Sequence, residues 1–114
     1  MPSGPAMSDR IEFLEKLLDS PGPSGFETGP ARVWREAAEG FADEVWTDVT
    51  GKSMAGINLQ GKPRVMLAGH IDEIGLQVTH IDEDGFLFFD EIGGWDSQVL
   101  VGQRVLVMGS KGEV

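Results

Sequence analysis

Apolar residues recur at two different spacings along this chain, and the change of spacing divides it. Ile11, Leu14, Leu17 and Leu18 fall at helical intervals behind Ser8, a residue type suited to an N-cap, and Glu12 and Lys16 form an i,i+4 pair on the outer face. The run Ser20-Pro21-Gly22-Pro23 stops that helix, because proline and glycine both oppose continuation. Pro30 then suits the first turn of a second helix carrying Val33, Trp34, Ala37 and Ala38 on one side, with Gly40 as its stop. From Asp43 the period shortens to two. Val45, Thr47 and Val49 alternate with Trp46 and Asp48, predicting a strand that ends at Thr50-Gly51, and Ala55 to Leu59 predicts a second. Val65-Met66-Leu67-Ala68 is a continuous apolar run, the pattern of a strand covered on both faces.

Beyond residue 72 the character changes again. Ile74 to Ile81 and Phe86 to Phe89 flank Asp82-Glu83-Asp84-Gly85, which predicts a hairpin. After Gly93-Gly94, Val99 to Val101 and Arg104 to Met108 predict further short β segments. The pattern is therefore α/β up to the junction at residues 72–75 and all-β after it. Two helices cannot cover both faces of an α/β sheet, so the pattern predicts the start of something larger, with a small self-contained α+β domain as the alternative.

Composition narrows the class. The formal charge of −10, with nine scattered Lys and Arg, excludes a nucleic-acid partner, which needs a basic face to neutralise phosphates. The absence of cysteine removes disulfides and thiolate metal sites. The opening Met1-Pro2-Ser3-Gly4-Pro5-Ala6 has neither a basic n-region nor an apolar h-region, and no apolar run is long enough to span a membrane. The expectation is a cytoplasmic protein with a flexible leader over residues 1–7 and no membrane contact.

The chemistry-bearing segment is His70-Ile71-Asp72-Glu73-Ile74-Gly75, directly after the buried-type run. Open α/β sheets place ligands at the C-terminal ends of their strands. Histidine is a common metal ligand, and a carboxylate two residues on can hold its ring. His-x-Asp alone is a short motif, equally compatible with a histidine hydrogen-bonded in a loop. His80-Ile81-Asp82-Glu83 repeats the same letters, but inside a hairpin where turn chemistry accounts for the acidic residues, so His80 reads as structural.

Four blocks taken in order are more specific. Pro23-Ser24-Gly25-Phe26-Glu27, the stretch Val65 to Gly75, Val78-Thr79-His80-Ile81-Asp82 with Gly85-Phe86, and Ile92-Gly93-Gly94-Trp95-Asp96 with Leu100 to Val105 together resemble the glutamyl and deblocking aminopeptidase family. Its tetrahedral dodecamers give that family the TET name, and some members are labelled endoglucanase. One departure is Gly51-Lys52, where the family usually has Gly-Asn.

The resemblance implies that residues 8–73 are the N-terminal part of an α/β catalytic domain of two helices and some three strands. Residues 74–114 would begin an inserted β-barrel dimerisation domain. It implies that His70 ligates one metal of a two-cation site, zinc or cobalt, and that Asp72 acts beside it as a catalytic residue that orients or tunes it. A bridging aspartate, an adjacent pair of glutamates, another acidic ligand and a second histidine would lie further along. On that basis the expectation is a peptide-cleaving, homo-oligomeric metalloaminopeptidase, with this stretch inactive alone. The alternatives are a glycoside hydrolase, which needs two carboxyl groups facing across a sugar, and a non-catalytic interaction fragment. Trp95 reads as a packing residue.

Overall fold

A computed structural model describes residues 6–113. Helix α1 spans Met7–Leu18 and α2 spans Thr28–Glu39. They are followed by β1 (Glu44–Thr47), β2 (Ser53–Gly56), β3 (Gly75–Ile81) and β4 (Leu87–Ile92). A 3₁₀ turn at Ser97–Leu100 precedes the short pair β5 (Met108–Gly109) and β6 (Gly112–Glu113). The mixed α/β class and the two helices are those the apolar spacing predicts. The strands form three separate antiparallel pairs, β1–β2, β3–β4 and β5–β6.

Of the expected leader, residues 1–5 lie outside the described residues, and Met7 is already helical. Ser8 is not the N-cap. Its hydroxyl donates to Asp9 Oδ1 at 3.0 Å inside the first turn, and Asp9 Oδ2 accepts the Ala6 N–H at 3.3 Å. An acidic side chain reaching back at the third helical position thus does the capping. Lys16 donates to Glu12 at 2.7 Å, the i,i+4 pair the spacing predicts. Helix α2 ends at Gly40, whose N–H reaches the carbonyls of Ala37 and Ala38.

The α2 helix lies on β1–β2 and meets α1. Ala31 and Ala38, at 5% and 2% exposure, form the buried apolar core, and Arg35 Nη1 ties α2 to β2 through Ser53 Oγ at 2.9 Å. Small residues fit here because a helix lying on a two-stranded ribbon brings backbones close. The β1–β2 turn is built by Asp48, whose Oδ1 accepts from Thr50 N (2.8 Å), Thr50 Oγ1 (2.7 Å) and Lys52 N (3.0 Å). These bonds stabilise the ionised carboxylate, and the Thr50 hydroxyl is the main reason its pKa lies below the ordinary value.

Four expected strands differ. Of Ala55 to Leu59, Ala55 and Gly56 alone are in a strand, the end of β2. Val65-Met66-Leu67-Ala68 is in no strand or helix, and Val65, Met66 and Leu67 are 80%, 87% and 93% exposed. A strand covered on both faces needs neighbours on either side, and no described strand pairs with this run. Val99 lies in the 3₁₀ turn because Asp96 Oδ1 accepts from Gln98 N at 3.0 Å and the Asp96 carbonyl accepts from Val99 N at 3.1 Å. Of the Arg104–Met108 segment, Met108 alone is paired.

The β3–β4 hairpin turns where the sequence predicts it. Asp82 Oδ1 accepts from Asp84 N (3.0 Å) and Phe86 N (2.8 Å), and Gly85 takes φ +88°. Strict alternation from Leu76 and Val78 would put His80 on the apolar face and Ile81 opposite. A register shift between Val78 and His80 corrects this, pairing Ile81 with Leu87 and Val78 with Phe89. Leu76, Val78, Ile81, Leu87 and Phe89 thereby share one face, while His80 pairs with Phe88 on the other. That apolar face is largely bare: Val78, Ile81, Leu87 and Phe89 are all exposed. The radius of gyration is 18.2 Å, against about 13 Å for a compact domain of this size.

Candidate functional site

Two segments far apart in sequence meet beside the end of α1. Pro23 and Glu73 form an isolated parallel bridge, in which Glu73 N donates to Gly22 O (3.0 Å) and Ser24 N donates to Glu73 O (3.3 Å). The Glu73 side chain closes the join, its Oε1 accepting from Gly22 N at 2.9 Å. Close approach is possible because Gly75 lacks a side chain: a Cβ there would lie 2.7 Å from Pro23 Cβ. The Pro-Gly loop is therefore a docked strap, fixed to the residues around Asp72.

On this join sits the predicted pair. His70 Nδ1 lies 3.1 Å from both Asp72 Oδ1 and the Asp72 carbonyl oxygen. Both neighbours are acceptors, so Nδ1 carries the ring proton and Nε2 keeps a free lone pair. The other Asp72 oxygen, Oδ2, accepts a short hydrogen bond from Ser24 Oγ. That hydroxyl, ahead of the His70 ring, holds the Asp72 carboxyl below the usual carboxylate range. The His70 side chain is 87% exposed and Asp72 37%. Leu17, Leu18 and Ser20 face them across an open hollow of about 220 Å³ that Ile71 and Glu73 also line.

His70 and Asp72 are thus together. His80 is elsewhere, exposed in β3 with its ring centroid 5.6 Å from that of Phe88 and apart from the His70–Asp72 pair. Trp95 is half-buried and donates its indole N–H to the Ile92 carbonyl at 3.1 Å, a packing role. Ser24 is the residue that pattern reasoning did not single out, and Glu73, inside the chemistry-bearing segment, was given no role there. Ser24 lay inside one of the four family-like blocks, but a separation of 48 residues carries no local signal of contact.

Chemically, the arrangement presents the His70 Nε2 to solvent, the ring oriented by a carboxylate that is itself held from behind. That is the donor type a divalent cation takes from histidine, with the carboxylate support such ligands commonly have. Among the described residues no three His, Asp or Glu side chains gather closely enough to hold a metal. A catalytic centre takes about three protein ligands, so the residues fit one corner of such a centre. None of the described helices is long and apolar enough to cross a membrane.

Comparison with known proteins gives consistent likenesses. The M42 glutamyl aminopeptidase profile matches residues 51–114. The chain is 38% identical over 102 residues to the putative aminopeptidase FrvX of Escherichia coli K12, covering 90% of this chain and 28% of that protein. It is 39% identical over 104 residues to the lysyl aminopeptidase of Pyrococcus furiosus, covering 90% and 30%. Its fold matches the crystal structure of a TET aminopeptidase from the marine sediment archaeon Thaumarchaeota archaeon SCGC AB-539-E09 with a TM-score of 0.88 at 41% identity. That match covers 96% of this chain and 31% of the other. The chain thus spans less than a third of the length of these relatives.

Proposed function

The chain belongs to the M42 glutamyl aminopeptidase family, a family of peptidases, and on that premise we propose that it is the N-terminal portion of a metal-dependent aminopeptidase. In this reading, residues 8–73 contribute the beginning of the α/β catalytic domain, and residues 74–114 open a β-barrel dimerisation domain. The whole protein is a cytoplasmic homo-oligomer acting on peptide N-termini.

The supporting observation is the Ser24–Asp72–His70 chain of contacts, which leaves His70 Nε2 free beside the hollow. His70 is the metal ligand. Asp72 holds the His70 Nδ1 proton, keeps the ring in the tautomer that can ligate, and adds negative charge that makes the ring a better donor. Two divalent cations, zinc or cobalt, when bound, activate a water and polarise the scissile carbonyl. Glu73 serves the join instead, its Oε1 accepting the Gly22 amide. The remaining ligands and the base come from outside residues 6–113, so this stretch is inactive alone.

The glycosidase alternative needs two carboxyl groups free to face one sugar. In the hollow, Asp72 and Glu73 are both engaged with protein donors. The test is hydrolysis of leucyl- and glutamyl-anilides with added cobalt, alongside a reducing-sugar assay. It is run on this chain and on the chain extended to the length of its relatives. The expected result is amino-acid release by the extended protein alone, lost in His70→Ala. Sugar release, or anilide turnover unaffected by His70→Ala, would sink the reading.

A further inference from the structure

A histidine that is 87% exposed has little to keep its ring in one orientation. Among the described residues, the only hydrogen-bonding partner of the His70 ring is Asp72, through its carbonyl and its Oδ1, both 3.1 Å from Nδ1. The position of the ring therefore depends on Asp72, through a backbone carbonyl that is fixed and a carboxylate that can turn. That carboxylate, 37% exposed, turns about a single soft torsion, since the last bond of an aspartate side chain has a broad, roughly two-fold profile. Its rotation is stopped at Oδ2 by the Ser24 hydroxyl.

Ser24, in turn, sits on backbone that is pinned on both sides. Its own N–H is bonded to the Glu73 carbonyl at 3.3 Å. Next to it Phe26 N donates to Pro23 O at 2.8 Å, and Gly25 N donates to Glu27 Oε1 at 2.6 Å. At the other end of the strap, Gly22 is held by Glu73 through both backbone and side chain. Gly25 takes φ +90°, a conformation glycine adopts at low cost, and this lets the chain turn immediately after Ser24. The hydroxyl is thus presented from a fixed platform.

We propose that Ser24 is a positioning residue. By fixing the Asp72 carboxylate, it sets the tautomer and orientation of His70 and so prepares Nε2 for a divalent cation. The tautomer part of this inference stands on the contacts alone. The cation part rests on the reading of His70 as a ligand.

The chain has two histidines, so their ring nitrogens can be followed separately by ¹⁵N NMR at pH 8, where imidazoles are ordinarily neutral. The expected result is a His70 ring protonated at Nδ1 in the parent chain. In Ser24→Ala it passes to a mixture of the two tautomers, and in Ser24→Thr, which keeps the hydroxyl, it returns to the Nδ1 form. His80 is unmoved throughout. Movement in both variants, or in neither, overturns the positioning role. In the same samples, Ser24→Ala should weaken zinc binding about ten-fold, in the range typical of a lost outer partner of a metal ligand, while Ser24→Thr should not. If the tautomers behave as expected but His70→Ala binds zinc as well as the parent, Ser24 still positions His70 and the metal-ligand reading falls instead.

Discussion

The α2–β1–β2 unit and the β3–β4 hairpin are both announced by their apolar spacing, yet they differ in what they cover. In the first, a helix lies on a two-stranded ribbon, burying Ala31 and Ala38 and bonding Arg35 to Ser53. In the second, a bulge sorts five apolar residues onto one face, and most of that face is left open to solvent. The difference teaches that periodicity decides which way side chains point, whereas burial depends on an opposing element that periodicity on one strand pair cannot create. A lone hairpin is marginally stable in water, and among the described residues nothing covers this apolar face.

The largest effect should come from the covered unit. Ala38→Asp places a charge where 2% of the residue is exposed, and should cost about 3 kcal/mol or more, read as loss of helical circular dichroism at lower urea. Phe89→Ser, on the open face, should change stability by less than about 1 kcal/mol, because the ring gives up little burial. It should nevertheless lower the fluorescence of an apolar dye bound to the chain. A Phe89→Ser cost equal to that of Ala38→Asp would break the comparison, since it would mean that the hairpin face is covered in solution.

The smallest effect is in the β1–β2 turn. The Asp48 pKa is depressed in the folded state, so the support it gives is present above the unfolded value of about 3.9 and is lost as pH falls through the lower folded value. The Thr50 and Lys52 amide resonances should therefore titrate together, with a midpoint below the ordinary aspartate value. A midpoint at or above the ordinary value would remove the hydrogen-bonded turn.

Local signals were legible in the sequence and distant ones were not. Pro30, Gly40 and the Asp82–Gly85 turn mark their elements because each acts within a few residues. The Val65–Ala68 run reads as a buried strand, but a strand needs neighbours to pair with, and no described strand pairs with it. Asp96 converts Ser97–Leu100 into a 3₁₀ turn through side-chain capping that alternation does not register. At the site, His70 and Asp72 are close in sequence, so their contact could be anticipated. The Ser24–Asp72 bond and the Gly22–Glu73 join come from the docking of two loops, which single-chain periodicity cannot encode.

We have proposed that His70, held by Asp72, is one corner of a metal centre whose other ligands lie outside residues 6–113. Cobalt binding to the purified chain, followed by calorimetry and by visible absorption, tests it most directly. The account predicts weak binding of a single ion, lost in His70→Ala and weakened in Asp72→Ala. Tight binding of two ions, or binding that survives His70→Ala unchanged, would contradict it.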